Sequence, residues 1–245
     1  MSETSPTRAR PEFAVVVPAL DEAQTVPELI AELRMVFDAH ALQGEVIFVD
    51  DGSTDGSAEL ATRIAAGWPA FRVLRHERNL GKTEALLTAS AATEAEWLIL
   101  FDADLQYSPR ELPRFVQRLH EGWDVVTARK RGRYEKQLVS TIYNQLSRLC
   151  FGVPVSDLNS MKGFRRSLLS RFPLKHDWHR YLVVLAHTHG ATMTELDVPL
   201  FPRRHGQSRY GSSLRIVTAF LDLLAVASFL IFRVGLKTLK LTAAR

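Results

Sequence analysis

The sequence predicts an α/β protein built on a mostly parallel sheet with helices on both faces. Three observations carry this. Short β-branched runs alternate with segments of helical period from residue 13 onward, the pattern of parallel strands joined by helical crossovers. Most runs are closed by turn-forming or acidic residues. The central run, Trp97-Leu98-Ile99-Leu100-Phe101, leads straight into Asp102-Ala103-Asp104. Open α/β sheets bind ligands at the carboxyl ends of their strands.

In chain order, Phe13-Ala14-Val15-Val16-Val17-Pro18 reads as a buried first strand, with Ala19-Leu20-Asp21-Glu22 as its loop. Thr25, with Pro27 in the first turn and Glu28 three residues on, has the form of a capping box. Leu29, Ile30, Leu33, Val36 and Phe37 then recur at helical spacing. A second strand over 45–49 ends in the acidic turn Asp50-Asp51-Gly52-Ser53-Thr54-Asp55-Gly56. A helix over 57–66 and a strand over 71–74 follow. Asn79-Leu80-Gly81-Lys82 opens the next helix, 83–92. After the central strand, Pro109 begins a helix that runs to His120. Val125-Val126-Thr127-Ala128 is a short strand, left by the basic loop Arg129-Lys130-Arg131-Gly132-Arg133. Beyond Gln137 the pattern is more helical and less regular, with a late strand over 195–199 that can run antiparallel.

The 245 residues fit one such domain with a small appendage. A hydrophobic share of 46% excludes global disorder. The net charge of +4 suits phosphates or an anionic membrane surface. Cys150 stands alone, which excludes a disulfide framework and a cysteine-based zinc site. The histidines show no ligand spacing, and no nucleic-acid partner is expected. Residues 1–12 are polar and carry no apolar h-region, so a flexible tail and a cytoplasmic location are expected.

In a parallel sheet the strand ends would bring Asp21, Glu22, Asp50, Asp51, Asp102, Asp104 and Arg129 to one edge. Asp102 and Asp104 can both turn toward one hard cation, with a nucleotide diphosphate supplying further oxygens. Such a cation offsets the charge of a leaving diphosphate. Acids from the earlier strands can accept hydrogen bonds from a base or ribose. Together these features point to a nucleotide-sugar site. The plainer alternative is a set of turns whose aspartates only satisfy backbone donors. No G-x-x-x-x-G-K-[ST] and no G-x-G-x-x-G is present, which argues against a P-loop NTPase and a dinucleotide dehydrogenase.

Val17-Pro18-Ala19-Leu20-Asp21-Glu22, Val49 through Gly56, Arg78-Asn79-Leu80-Gly81-Lys82 and Asp102-Ala103-Asp104-Leu105-Gln106 stand in an order that resembles family 2 glycosyltransferases. Their fold is GT-A, the Rossmann-like fold of nucleotide-diphospho-sugar transferases. The later Asp157-Leu158-Asn159-Ser160-Met161-Lys162-Gly163-Phe164-Arg165 and Arg203-Arg204-His205-Gly206-Gln207-Ser208-Arg209-Tyr210 look like the dolichyl-phosphate mannose synthase branch. The resemblance implies an inverting transfer of a hexosyl unit from GDP-mannose or a UDP-hexose to a dolichyl or undecaprenyl phosphate. By position, Pro18, Leu20, Glu22, Val49 and Asp51 would line base and ribose, with Asp102 and Ala103 also on the donor. Asp102, Asp104 and Gln106 would hold Mg²⁺ or Mn²⁺. Arg129, Arg203 and Arg209 would grip phosphates, and Asp104, Arg129 and Asp157 would stand nearest the chemistry. Asp157 is either a general base or a residue that orients Arg165 or a turn. A phosphate acceptor is already anionic and needs no strong base. Leu20 departs from the aromatic residue common in the family, and Thr83-Glu84 from its small residues.

Residues 13–212 are thus expected to form the catalytic domain. Residues 213–245 read as a membrane-associating amphipathic helix and basic tail, within an apolar helix over 212–240. Its apolar centre, 216–232, is roughly 17 residues long with one acid, Asp222, at the short limit for spanning a bilayer. Arg215, Asp222, Arg233 and Lys240 fall near one stripe, which suits a helix lying in the interface of the cytoplasmic face. Packing in a core or a homo-oligomer is the alternative. Two other functions stay open: transfer to a glycan or small soluble acceptor, and a non-catalytic nucleotide-sugar-binding scaffold.

Overall fold

The computed structural model describes residues 10–132, 144–145, 148–172, 174–175, 178–204 and 228. Seven strands form one sheet in the order β3-β2-β1-β4-β6-β5-β7. They are β1 (Phe13–Ala19), β2 (Gly44–Asp50), β3 (Phe71–Arg75), β4 (Trp97–Leu100), β5 (Val125–Arg131), β6 (Lys162–Arg165) and β7 (Met193–Pro199). All run parallel except β6, which lies antiparallel between β4 and β5. The chain steps outward from β1 to β3, then returns to place β4 on the other side of β1. The crevice between the carboxyl ends of β1 and β4 is therefore the topological switch point, where such sheets take their ligands.

Strand periodicity builds two cores. Phe13, Val15 and Val17 of β1 and Val46 and Phe48 of β2 face α1 (Val26–Ala39), α2 (Ser57–Ile64) and α4 (Leu112–His120). Ala14, Val16, Ile47 and Val49 face α3 (Lys82–Ala91) and α5 (Leu182–Thr188). Both faces of the inner strands are buried, which is why they read as continuous apolar runs.

Several expectations are corrected. The hydroxyl of Thr25 makes no helix cap; it donates to Glu22 Oε2 at 2.9 Å. β5 continues through Arg131, so Arg129 lies within a strand and not in a loop leaving it. β7 begins at Met193 and runs parallel to β5, not antiparallel. β6 was not expected at all; its four residues carry lysine, glycine and arginine and show no strand alternation of polarity. Of the tail expected over 1–12, Arg10 Nε donates to Glu94 O at 2.7 Å and Glu12 N to Gln43 O at 2.9 Å. The apolar helix expected over 212–240 lies outside the described residues. Among the described residues, no helix is long and apolar enough to cross a membrane.

Candidate active site

Two loops beside the crevice are joined by side-chain-to-backbone hydrogen bonds. After β1, the N–H groups of Asp21, Glu22 and Ala23 donate to Ser53 Oγ (2.9 Å), Ser57 Oγ (2.8 Å) and Asp55 Oδ2 (2.8 Å). In return Asp21 Oδ1 accepts from Thr54 N at 2.9 Å. Asp21 adopts a left-handed backbone, φ 52°, a conformation that aspartate tolerates better than most residues. Gly52, at φ 78°, lies so close to Arg78 that a Cβ there would sit 2.4 Å from its carbonyl carbon. Only glycine lets the 50–56 loop approach the 78–82 loop in this way.

Asp51 ties that second loop down. Its Oδ1 accepts from Leu80 N (2.8 Å) and meets His76 Nδ1 (2.7 Å), and its Oδ2 accepts from Gly81 N (2.8 Å). His76 Nε2 in turn meets Thr88 Oγ1 at 2.9 Å. Both oxygens of Asp51 are thus engaged inside the protein, and through Gly81 they set the start of α3. Of the other residues expected on the donor, Val49 is fully buried in the core, whereas Pro18, Leu20 and Glu22 are partly exposed at the end of β1. Asp50 is fully buried and its carboxylate accepts no hydrogen bond; Arg75 Nε stands 3.5 Å from its Oδ2.

The carboxylates beyond β4 each meet a cation. Lys82, the first residue of α3, pairs with the half-exposed Asp102. Arg203 Nη2 lies 2.7 Å from Oδ2 of the buried Asp104, and Arg203 Nη1 lies 3.7 Å from Glu22 Oε1. One guanidinium therefore bridges the ends of β1 and β4. Leu105 is left-handed, φ 54°, and this turn lets Gln106 N donate to Asp104 Oδ1 at 3.1 Å. Gln106 O accepts from Phe201 N at 2.9 Å, and Gln106 Nε2 reaches Phe201 O at 3.5 Å. Burial and the neighbouring charge of Asp102 push the Asp104 carboxyl up to about 6. Burial also raises Asp102, but Lys82, Lys162 and Lys130 outweigh it and hold that carboxyl below its ordinary value.

On the far side of β4 the arrangement departs from expectation. Arg129 Nε pairs with Asp197 Oδ1 at 2.5 Å and Arg131 Nη2 with Asp197 Oδ2 at 2.6 Å, on the outer strand β7. The hydrogen bond from Arg129 to Asp197, with the charges of Asp197 and Glu195, holds the guanidinium above its ordinary pKa. Lys130 points the other way, as strand alternation requires, and its Nζ lies 3.3 Å from Asp157 Oδ2 and 3.4 Å from Asn159 O. Asp157 Oδ1 accepts from Asn159 N at 3.1 Å, and Ser156 N donates to Glu195 Oε1 at 2.6 Å. Arg165 pairs with Asp124 and Glu96, not with Asp157. Lys162 is fully buried; its Nζ donates to Leu158 O at 3.1 Å, and burial and the charge of Lys82 lower its pKa to about 7. Burial, then the charges of Asp157, Asp102 and Asp104, raise the buried Tyr107 phenol well above its ordinary value. Arg209 lies outside the described residues.

The structure thus brings Glu22, Asp102, Asp104, Gln106 and Arg203 together and turns Arg129 to Asp197 on the outer strand β7. Sequence reasoning did not assign Lys82, Lys130 or Lys162 to the site. Lys82 had a signal in its motif at a helix start; Lys162 had none, because its strand was not legible.

The glycosyl transferase family 2 profile matches residues 14–182. The undecaprenyl-phosphate 4-deoxy-4-formamido-L-arabinose transferase of Aeromonas hydrophila subsp. hydrophila is 32% identical over 204 residues, 81% of this chain and 62% of the relative. The enzyme of the same name from Edwardsiella ictaluri is 31% identical over 216 residues, 86% of this chain and 66% of its own length. The chain spans less than two thirds of the length of these curated relatives. Among solved structures, glucosyl-3-phosphoglycerate synthase from Mycobacterium tuberculosis with Mg²⁺ and UDP superposes with a TM-score of 0.70 at 24% identity. The match covers 88% of this chain and 79% of that one. The same enzyme with Mn²⁺, UDP and glucosyl-3-phosphoglycerate gives a TM-score of 0.69 at 24% identity, covering 88% of this chain and 80% of that one. These likenesses bear out the expected GT-A architecture, and the profile, which takes in β1 through β6, settles the lineage: the chain belongs to glycosyl transferase family 2.

Proposed function

We propose that the chain transfers a glycosyl unit from a nucleoside diphosphate sugar to a polyprenyl phosphate at a membrane surface. The observation that carries this reading is the pair Asp102 and Asp104 at the switch point, each balanced by a cation, Lys82 and Arg203. The relatives named above supply the acceptor class, and the solved neighbours supply the nucleotide diphosphate.

A divalent cation fits the donor set. Two hard carboxylates stand one residue apart, and their mutual repulsion contributes to the raised pKa of Asp104, a crowding that such a cation relieves. Among the described residues no group of three or more His, Cys, Asp or Glu could hold a metal. Asp102 and Asp104, with Gln106 beside them, would therefore hold Mg²⁺ or Mn²⁺ only together with diphosphate oxygens, as suits Mg²⁺ in particular. When bound, the ion offsets the charge that develops on the departing diphosphate. Arg203 and Lys82 would shift from their carboxylates to the same phosphates, and Glu22 would face the ribose. An acceptor phosphate oxygen then forms the bond to the anomeric carbon while the bond to the diphosphate breaks, with inversion.

The test is transfer of label from a panel of radiolabelled UDP- and GDP-sugars to vesicles containing undecaprenyl phosphate, with Mn²⁺ or Mg²⁺. Organic-extractable label is expected with the phosphate lipid and not with the free polyprenol. Label passing instead to a soluble phosphorylated acceptor would overturn the lipid reading and leave the transferase one standing. Membrane attachment through residues 213–245 is tested by truncation after Ser212: the shortened chain should pellet less with anionic liposomes.

A further inference from the structure

The acceptor has to enter a site already crowded with negative charge. Glu22, Asp104 and Arg203 form one cluster, and Asp102 and Asp157 act together on the buried Tyr107 and Lys162. The donor adds a diphosphate. A phosphomonoester carries about −1.5 to −2 near neutral pH, so fixed cations must stand on its own side of the crevice. Arg203 and Lys82 balance Asp104 and Asp102 on the donor side. Arg129 and Arg131 are drawn to Asp197 at the outer strand.

Lys130 is the member of the basic cluster 129–131 that faces inward. Its side chain is only 13% exposed, it lies against Asp157 and Asn159, and its charge acts on both Asp102 and Lys162. Lys162 comes from the adjacent β6, where its cross-strand neighbours are Leu100 of β4 and Thr127 of β5. It props the turn 157–160 through the carbonyl of Leu158. Lys130 and Lys162 stand on this side of β4 around Asp157, while the neighbouring Glu195 is taken up by Ser156.

Asp157 is poorly placed to be a base. Its Oδ1 accepts from a backbone N–H and its Oδ2 is held by an ammonium. A neutral hydroxyl acceptor would need a base here; a phosphate does not. We propose that Lys130 receives the phosphate of an anionic acceptor, with Lys162 as the positioning residue that holds the turn beneath it and Asp157 as a latch that keeps Lys130 in place beforehand. This rests on the polyprenyl-phosphate reading above. The acceptor oxygen attacks with its own lone pair, the electron pair of the breaking bond leaves on the diphosphate, and no proton moves.

The experiment uses the full chain with vesicles containing undecaprenyl phosphate or undecaprenol, and measures acceptor KM, kcat and UDP affinity. Lys130→Ala should raise the acceptor KM about tenfold or more while UDP affinity stays within about twofold, and Lys130→Arg should restore most of the loss. Asp157→Asn should keep kcat within about fivefold, whereas loss of a base would cost about a hundredfold or more. Lys162→Met should raise the acceptor KM and leave UDP affinity alone. An unchanged acceptor KM in Lys130→Ala, an equal loss of UDP affinity, or a collapse of kcat in Asp157→Asn overturns the assignment. A wild type that accepts undecaprenol as well as its phosphate sinks the acceptor reading itself, and the assignment with it.

Discussion

The two sides of β4 are built by different physics. On the β1–β2 side, side-chain oxygens of Asp21, Asp51, Ser53, Asp55 and Ser57 accept backbone N–H groups and zip neighbouring loops together. On the β5–β7 side, ion pairs hold the parts: Arg129 and Arg131 to Asp197, Lys130 to Asp157, Arg165 to Asp124 and Glu96. The hydrogen bonds to the buried Asp51 are short-ranged and insensitive to salt, whereas the half-exposed pairs of Arg129 and Arg131 with Asp197 are screened and adjustable. The first side suits a fixed seat for a nucleotide. The second suits a partner that arrives charged and rearranges its hosts.

The largest effect should come where the two sides meet. Asp104→Ala removes one of the two carboxylates proposed to hold the metal and the partner of Arg203, and turnover should fall by about a thousandfold or more with the fold intact. A chelator should do the same to the wild type. Turnover assays with a circular-dichroism melt check this, and full activity of the variant in chelator would remove the metal from the account.

Next comes the hydrogen-bonded side. Asp51→Ala strips acceptors from Leu80 N, Gly81 N and His76, all at a buried carboxylate. Leaving those donors unpaired should cost about 2–4 kcal/mol of stability, read from the urea midpoint, with nucleotide affinity lost in parallel. A loss no larger than that of a surface substitution would show that water replaces the carboxylate freely.

The buried Lys162 gives a pH test. Its folded pKa, about 7, lies below the ordinary 10.5, so between these values the unfolded chain binds more protons than the native one. Stability must then rise with pH across that window, and the penalty is fully present below it. The wild type should gain on Lys162→Met in melting temperature between pH 7 and about 9.5, by an amount on the order of a few degrees. A constant difference would mean that the ammonium is well solvated. The smallest effect is expected at the exposed clamp: Asp197→Asn should lower the melting temperature slightly, and about 0.5 M salt should erase the difference.

The same contrast explains what could be read in advance. Strands β1 to β4 were legible because each is a continuous apolar run with turn chemistry after it, and the acids at their ends follow from the register. The roles of those acids were less so. Asp51 reads as a ligand-facing carboxylate, yet its partners His76, Leu80 and Gly81 lie 25 to 30 residues on. On the other side, β6 carries Lys162 and Gly163 where a strand pattern needs apolar residues. Its insertion moves β5 one strand further from β4, about 5 Å for each strand spacing. That displacement, together with Asp197 on a strand some 68 residues away, is why Arg129 ends paired with the outer strand and Lys130 faces inward. Strand alternation alone says that 129 and 130 point apart, but not which of them meets the site.

Arg203 has a consequence for where this protein can be cut. The family profile ends at residue 182, and the last strand closes the sheet at Pro199. The charge balance of Asp104 and Glu22 is completed four residues later, by a guanidinium some hundred positions downstream of the aspartate it serves. The sheet and its chemistry therefore have different C-terminal borders. A fragment trimmed to the sheet would keep all seven strands while losing the guanidinium that bridges Asp104 and Glu22, and a circular permutation opened between 199 and 203 would split the site without breaking a single strand pairing.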